Sequence, residues 1–402
     1  MTMVVISSQP NQAMRLTVVG AVVGSGIVAS LQVGKAAIAA PMLQAGLGLD
    51  LGAVGWLAGI FALLGLLGGI PAGVVIAGAG DRRIMIVGLF AILLGASLGA
   101  VVPSYPLLLA SRVVEGLGFL LVTVAGPAIL QRVVAAPHRD IAFALWSCFM
   151  PAGIAIAMLA GPLFADWRTL WWCSAGIAAV AMILISVLVP GVGASKVISW
   201  RGLGADALEI LRERGPVLLA ACFALYSLMF FALFSFLPVL LMQRMGVAHG
   251  VAGLLSAVAT AANIIGNLAA GYLLARGVGR PVLIAVASSV MGISALGIFL
   301  PVFADTPTFL LCLLFSAVGG LIPATLLSSA SVIAPSAMLA PMVIGLSMQG
   351  SNLGQIAGPV VIGEAIDAFG WSAAAVAVLL AAILASLAAL ALGKNLARNG
   401  KG

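Results

Sequence analysis

Lys35 stands in a run of small and apolar residues, GlyLysAlaAlaIleAlaAlaPro (34–41), 20 residues after Arg15. An ammonium group within an apolar helix costs about 2.5–3.5 kcal/mol on insertion scales. Two readings of it are open. Its long stem snorkels to water at the membrane surface, or the cation meets an anionic substrate or partner inside a cavity. The acid nearest to it in sequence, Asp50, falls outside the helix that carries it. Arg112 and Glu115 are three residues apart, hence on one helix face. They form either a structural ion pair, in which each relieves the burial cost of the other, or a coupling pair in which Glu115 exchanges a proton.

Carboxamides supply the second kind of chemistry. Gln349, Asn352 and Gln355 recur at three-residue steps, with Gly350 and Gly354 between them. Three carboxamides on one stripe cannot face lipid, where their donors go unsatisfied. They face a neighbouring helix or a solute cavity, and we expect Gln349 and Asn352 in the cavity. Asn263 and Asn267 form an i, i+4 pair around Gly266, which reads first as close helix packing. Tyr226 with Ser227, and Trp146 with Ser147, are weaker candidates, because an aromatic in a span commonly anchors or packs.

The elements that must hold these residues follow from composition. Of 402 residues, 63% are hydrophobic and 7% charged, and mean hydropathy is +1.27. Soluble domains carry about 25% charged residues. Such a chain is not a cytosolic enzyme, a nucleic-acid-binding domain or a disordered segment. The net charge of +7 contains no Lys/Arg run of the nucleic-acid type. Cys148, Cys173, Cys222 and Cys312 have no ligand spacing, so no disulfide framework, metal site or other cofactor is expected. His138 and His249 lie in expected loops, and no phosphate-binding loop occurs.

A bilayer core takes about 20 apolar residues per helix. Twelve stretches qualify: 16–41, 52–77, 84–102, 106–131, 141–165, 169–190, 216–242, 250–275, 281–302, 307–333, 338–363 and 371–393. The first is read as a retained helix rather than a cleaved signal. The expected fold is an all-α integral membrane protein with twelve transmembrane helices. A polar stretch, 191–215, separates a six-helix bundle over 1–190 from another over 216–402. Within it, 205–214 has the pattern of a short amphipathic helix. With the N-terminus inside, fourteen Lys and Arg fall on the inner side and two, Arg168 and Arg244, on the outer. That bias places both termini in the cytoplasm.

The halves repeat one another. GlyValValIleAlaGlyAlaGlyAspArgArg (73–83) follows span two, and GlyTyrLeuLeuAlaArgGlyValGlyArgPro (271–281) follows span eight. Gly73 and Gly271 each precede an alanine by four residues. A second glycine, Gly80 or Gly279, and the arginines Arg82, Arg83, Arg276 and Arg280 come after. Gly-Pro pairs at 161–162 and 358–359 sit in spans five and eleven, each followed by a Trp that opens the next span. Pro151, Pro162 and Pro323, with Gly319 and Gly320, mark bends.

These spans, the basic loops and ArgValValGluGlyLeuGly (112–118) resemble the major facilitator superfamily over nearly the whole chain. GlnValGlyLysAla (32–36), LeuTrpSer (145–147) and GlnGlySerAsnLeuGlyGln (349–355) are similar to its cyanate/nitroimidazole-transporter-like branch. The resemblance implies a cavity lined by span one, a coupling or gating role for Arg112, and an acid–base contact in the loop after span two. The usual acid position holds Ala77 and Gly78, so Asp81 either replaces that acid or the contact is lost. The expected function is secondary active transport of a small solute across the cytoplasmic (inner) membrane. The expected chain acts as a monomer, with no nucleic-acid partner and with protons as the candidate coupling ion. An organic or inorganic anion is the first substrate class. Efflux of amphiphilic drugs or metabolites is the second, and a channel or a membrane subunit of a complex is the alternative of another class.

Overall fold

The computed structural model describes residues 12–68, 80–102, 104–134, 142, 145–191, 203–335 and 339–398 of the chain. All regular structure among them is helical. In chain order the long helices are α1 (Gln12–Ile38, continued by Ala40–Leu47), α2 (Leu51–Gly68), α3 (Asp81–Val101), α4 (Tyr105–Val133), α5 (Phe149–Leu163) and α6 (Trp167–Leu188). The second set is α7 (Arg214–Phe234, continued by Leu237–Met245), α8 (His249–Ala275), α9 (Arg280–Phe299), α10 (Asp305–Gly319, continued by Leu321–Ile333), α11 (Ala340–Phe369) and α12 (Trp371–Arg398). Each falls on one of the twelve expected spans. Among the described residues, ten helices are long and apolar enough to cross a membrane. The other two are α5, whose described part is short, and the amide-bearing α11. Helix α11 runs to Phe369, six residues past the expected end at 363, and so takes in Glu364 and Asp367.

Interruptions in α1 and α7 match each other and extend the repeat beyond what the sequence reading found. Each helix breaks once and restarts with a proline in the first turn, Pro41 or Pro238. Proline lacks the N–H that would continue the ladder and crowds the preceding turn. Each restarted segment ends at a glycine with positive φ, Gly48 (65°) or Gly246 (64°), whose N–H bonds back to a carbonyl four residues earlier. Helix α10 is interrupted at Gly320, within the glycine pair expected to mark a bend.

Packing follows the same repeat. In the first six helices α1 packs on α4, α5 and α6, and α3 on α4 and α6. In the second six α7 packs on α11 and α12, and α9 on α10 and α12. The sets meet along two symmetry-related seams, α2 with α11 and α5 with α8. Gly59 on α2 lies so near α11 that a Cβ there would be 2.9 Å from the Ile356 carbonyl, and Gly363 on α11 is equally tight against Leu51. Outward faces are apolar and exposed, as Val87, Phe90, Leu94 and Leu98 on α3 and Val376, Leu380, Ile383 and Leu387 on α12 show. A bilayer supplies the apolar contact that such faces lack. The short helix in the linker is present at Leu203–Arg212, with Ile210 buried and Leu208 and Leu211 exposed.

Candidate functional site

Three ionisable side chains meet inside the first six helices. Lys35 comes from the last turn of the first segment of α1, and Arg112 and Glu115 come from α4. The Lys35 ammonium donates to Glu115 Oε1 at 2.7 Å and to the Ser174 hydroxyl of α6 at 3.1 Å. It also sits 4.5 Å over the Trp171 ring. Arg112 Nη1 donates to the other oxygen, Glu115 Oε2, and Nε to the Leu57 carbonyl of α2 at 3.3 Å. The guanidinium lies 4.6 Å over the Phe61 ring. All three charged side chains are 0% exposed. Room for them comes from Gly95 on α3, where a Cβ would stand 2.7 Å from Glu115 Cγ.

This geometry gives Lys35 an anionic partner inside the protein, one of the two readings open for it. Its partner is an acid 80 residues away on another helix, so it neither snorkels to water nor stands free. The i, i+3 pair of Arg112 and Glu115 is present as expected, with Lys35 as its third member. Two cations face one carboxylate. A charge removed from water in this way is tolerable only with such hydrogen-bonded compensation. Arg112 Nη2 and Trp171 Nε1 are buried and have no hydrogen-bond partner among the described residues.

The carboxamide stripe of α11 divides. Gln349 Nε2 donates to the Leu66 carbonyl of α2 at 3.0 Å. Asn352 donates to the Met348 carbonyl at 2.8 Å, with its amide packed against Gly65 of α2. Both amides touch the seam with α2 in this structure, and both residues are half-buried. Gln355 is 3% exposed and its Nε2 has no partner among the described residues. The physical reason is helical: a three-residue step turns the side chain by about 300°, so a stripe drifts by about 60° at every step. Between them, the Ser351 and Ser227 hydroxyls are 2.8 Å apart and link α11 to α7.

Asn263 donates to Tyr226 at 3.3 Å and to the Ser316 carbonyl at 3.0 Å, and Asn267 donates to Asn263 Oδ1 at 2.8 Å. This ties α7, α8 and α10 together, in line with packing. Tyr226 continues into an aromatic face of α7, with ring centroids 6.2 Å from Phe223 and 6.0 Å from Phe230. Trp146 is buried against Phe149, 4.7 Å between centroids.

Of the two basic loops, the first keeps an acid–base contact. Asp81 opens α3 and binds Arg132 at the end of α4 through two bonds of 2.8 and 3.0 Å. Gly80 before it has φ 89°, a conformation suited to glycine. Arg82 donates to the Ser186 carbonyl of α6, and Arg83 is exposed. Gly73 lies outside the described residues. The second loop has no ion pair among the described residues. Arg276 stacks 4.7 Å over Tyr272, Arg280 Nε has no partner among the described residues, and Gly271 faces open space. The positive φ falls on Gly277 (83°), so Gly279 is not the conformational counterpart of Gly80.

One functional feature escaped the sequence. Asp367 of α11 accepts from the backbone N–H of Leu51 at 3.3 Å and of Gly52 at 2.5 Å, at the start of α2. The Asp50–Leu–Gly run signals a capped helix start, but Asp367 lies past the expected end of its span. Nothing in the sequence pairs the two.

With the helices and buried charges in place, the class of protein is defined. The Major Facilitator Superfamily profile matches residues 22–340, and the chain belongs to that family. Among curated proteins it is 30% identical over 147 residues to an efflux pump, terG, of Aspergillus terreus (strain NIH 2624 / FGSC A1156). It is 27% identical over 227 residues to a 3-(3-hydroxy-phenyl)propionate transporter of Escherichia coli (strain K12). These matches cover 36% and 54% of this chain, and only 27% and 55% of the relatives' own lengths. Two crystal structures of a bacterial homologue of the human lysosomal transporter Spinster, both inward-facing, share the fold. The unoccupied form has a TM-score of 0.72 and the occupied form 0.73. Both are 17% identical and match 96% of this chain, and 99% and 98% of theirs.

Proposed function

We propose that the chain is a secondary transporter that carries a small organic anion by alternating access. Its halves, 1–190 and 216–402 joined by 191–215, rock about a site between them. The observation that carries this reading is the Lys35–Glu115–Arg112 cluster, two cations to one carboxylate at full burial. Ionisable groups at membrane depth are costly and mark transport paths. Their surplus positive charge is poorly screened in a low-dielectric interior and draws an anion toward it. Arg112 Nη2, without a partner among the described residues, is the donor left for a carboxylate. The relative named for 3-(3-hydroxy-phenyl)propionate, an aryl carboxylate, supports the same class. Glu115 is the candidate proton carrier. The cyanate/nitroimidazole-transporter-like branch remains our assignment within the family, on residues 32–36, 145–147 and 349–355. The fourteen-to-two Lys/Arg bias supports a cytoplasmic-membrane protein with both termini inside.

Efflux of amphiphilic compounds is a second reading, favoured by the aromatic face of α7 and by the relative named as an efflux pump. A counterflow screen in proteoliposomes separates the two. The anion reading expects saturable exchange of aryl carboxylates such as 3-(3-hydroxyphenyl)propionate and little exchange of cationic dyes. Exchange confined to dyes overturns it.

A further inference from the structure

The face opposite the chain termini carries a contact between the halves made by a carboxylate and a helix end. The first turn of α2 is capped twice. Asp50 caps it in cis, accepting from the Ala53 N–H at 2.7 Å. Asp367 caps it in trans, from the last turns of α11, taking the Leu51 and Gly52 N–H groups. None of the ion pairs among the described residues involves Asp367, so these N–H groups are its partners. The charged and titratable neighbours are all acidic or phenolic: Asp50, Glu364 beside Gly52, and Tyr105, whose hydroxyl donates to the Ala53 carbonyl at 2.9 Å. Among the described residues no side-chain cation pairs with Asp367. The first N–H groups of a helix lack internal partners, and the helix dipole favours a negative charge beside them.

Below this contact the seam is tight. Gly55 presses on the Pro359 carbonyl, Gly59 on that of Ile356, and Gly65 on the amide of Asn352, until Gln349 reaches the Leu66 carbonyl. Separating α2 from α11 at this face therefore strips Asp367 of its two backbone donors and leaves Asp50 with its own.

We propose that Asp367 is a latch: its trans cap on α2 holds the face opposite the termini closed and biases the resting protein toward opening on the termini side. The proposal rests on the alternating-access reading and adds to it the residue that sets the balance. Asp367 touches no substrate; it is a positioning residue that acts through α2. The two caps give an internal comparison. Loss of the cis cap frays α2 equally in every state, whereas loss of the trans cap destabilises only the closed far face. A ligand-free equilibrium shifts by the difference between its states alone.

The test is pulsed electron–electron spin resonance on the full chain in lipid nanodiscs, without substrate, in a background lacking native cysteines. One spin-label pair at Ala165 and Thr306 spans the far face, and another at Pro190 and Ala275 spans the termini face. Asp367→Ala is expected to raise the far-face open fraction about fivefold, the usual scale for losing a cap. Asp367→Asn, which keeps an acceptor oxygen but removes the charge, is expected to raise it less. In both variants the termini-face pair shortens in step, a reciprocal change that simple loosening does not produce. Asp50→Ala is expected to leave both distributions in place. Gly55→Leu, a wedge in the same seam, reports on the rocking motion itself. If the wedge lengthens the far-face distance while Asp367→Ala leaves it unchanged, the latch is wrong and alternating access stands. If Asp50→Ala and Asp367→Ala shift it equally, the contact is ordinary capping and the proposal is overturned. If the folded wedge variant shows no reciprocal change between faces, the alternating-access reading itself fails.

Discussion

Glu115 holds Lys35 through one carboxylate oxygen and Arg112 through the other, joining α1 to α4 at a point sealed from water. One acid thus carries the compensation for two cations, and the three residues are not equivalent. Glu115→Gln leaves two buried cations without a carboxylate. Lys35→Met leaves the Arg112–Glu115 pair intact and neutral. We expect Glu115→Gln to lose about 3–5 kcal/mol of stability, the range for breaking a buried pair, and Lys35→Met clearly less. Thermal melts of the purified variants in detergent check the order. Equal losses would show that the carboxylate is not shared.

The divided stripe of α11 separates binding from packing. Gln355→Ala should weaken apparent substrate affinity about tenfold, roughly the 1.4 kcal/mol of one hydrogen bond to a charged group, with the protein retained in the membrane. Gln349→Ala and Asn352→Ala should instead alter rates through the α2 seam, since their amides are engaged there. Transport kinetics on all three, with membrane levels measured in parallel, decide the matter. Affinity loss in Asn352→Ala with none in Gln355→Ala reverses the assignment.

Backbone approach makes some glycines irreplaceable. At Gly116 of α4 an added Cβ would overlap the Phe61 carbonyl of α2, and a backbone carbonyl cannot swing aside. Gly116→Ala should cost about 1–3 kcal/mol as overpacking. Gly24→Ala on α1, where nothing lies within 4 Å, should be neutral or stabilising. Melting temperatures of the pair test the contrast, and a stable Gly116→Ala protein would contradict the contact.

Orientation has a direct check. Single cysteines at Ala275 and Thr306 lie on opposite faces. An impermeant maleimide applied to intact cells should label position 306 and spare 275 until the membrane is permeabilised. The opposite pattern inverts the topology.

Twelve spans were legible because continuous apolar runs and proline, glycine and charge boundaries are local signals. The i, i+3 geometry of Arg112 and Glu115 was legible for the same reason. The partner of Lys35 was not legible because it lies on another helix, and helix pairing is decided by packing rather than by sequence proximity. The contacts of Gln349 and Asn352 with α2 were not legible because they depend on how α11 packs against the other half. Asp367 was missed because α11 runs a turn and a half past its apolar stretch, and the partner it caps belongs to the other half. The matched breaks of α1 and α7 were readable in principle, as a proline seven or eight residues before a glycine in both halves.

The central claim, secondary transport of an organic anion by alternating access, is tested most directly by counterflow. Proteoliposomes loaded with unlabelled 3-(3-hydroxyphenyl)propionate should accumulate the labelled compound transiently above equilibrium, saturably, and only with the protein present. Lys35→Met should lower that exchange while the protein stays folded. Flux that never exceeds the imposed gradient and does not saturate would mark a passive pore, and no exchange of any organic anion would contradict the assignment of substrate class.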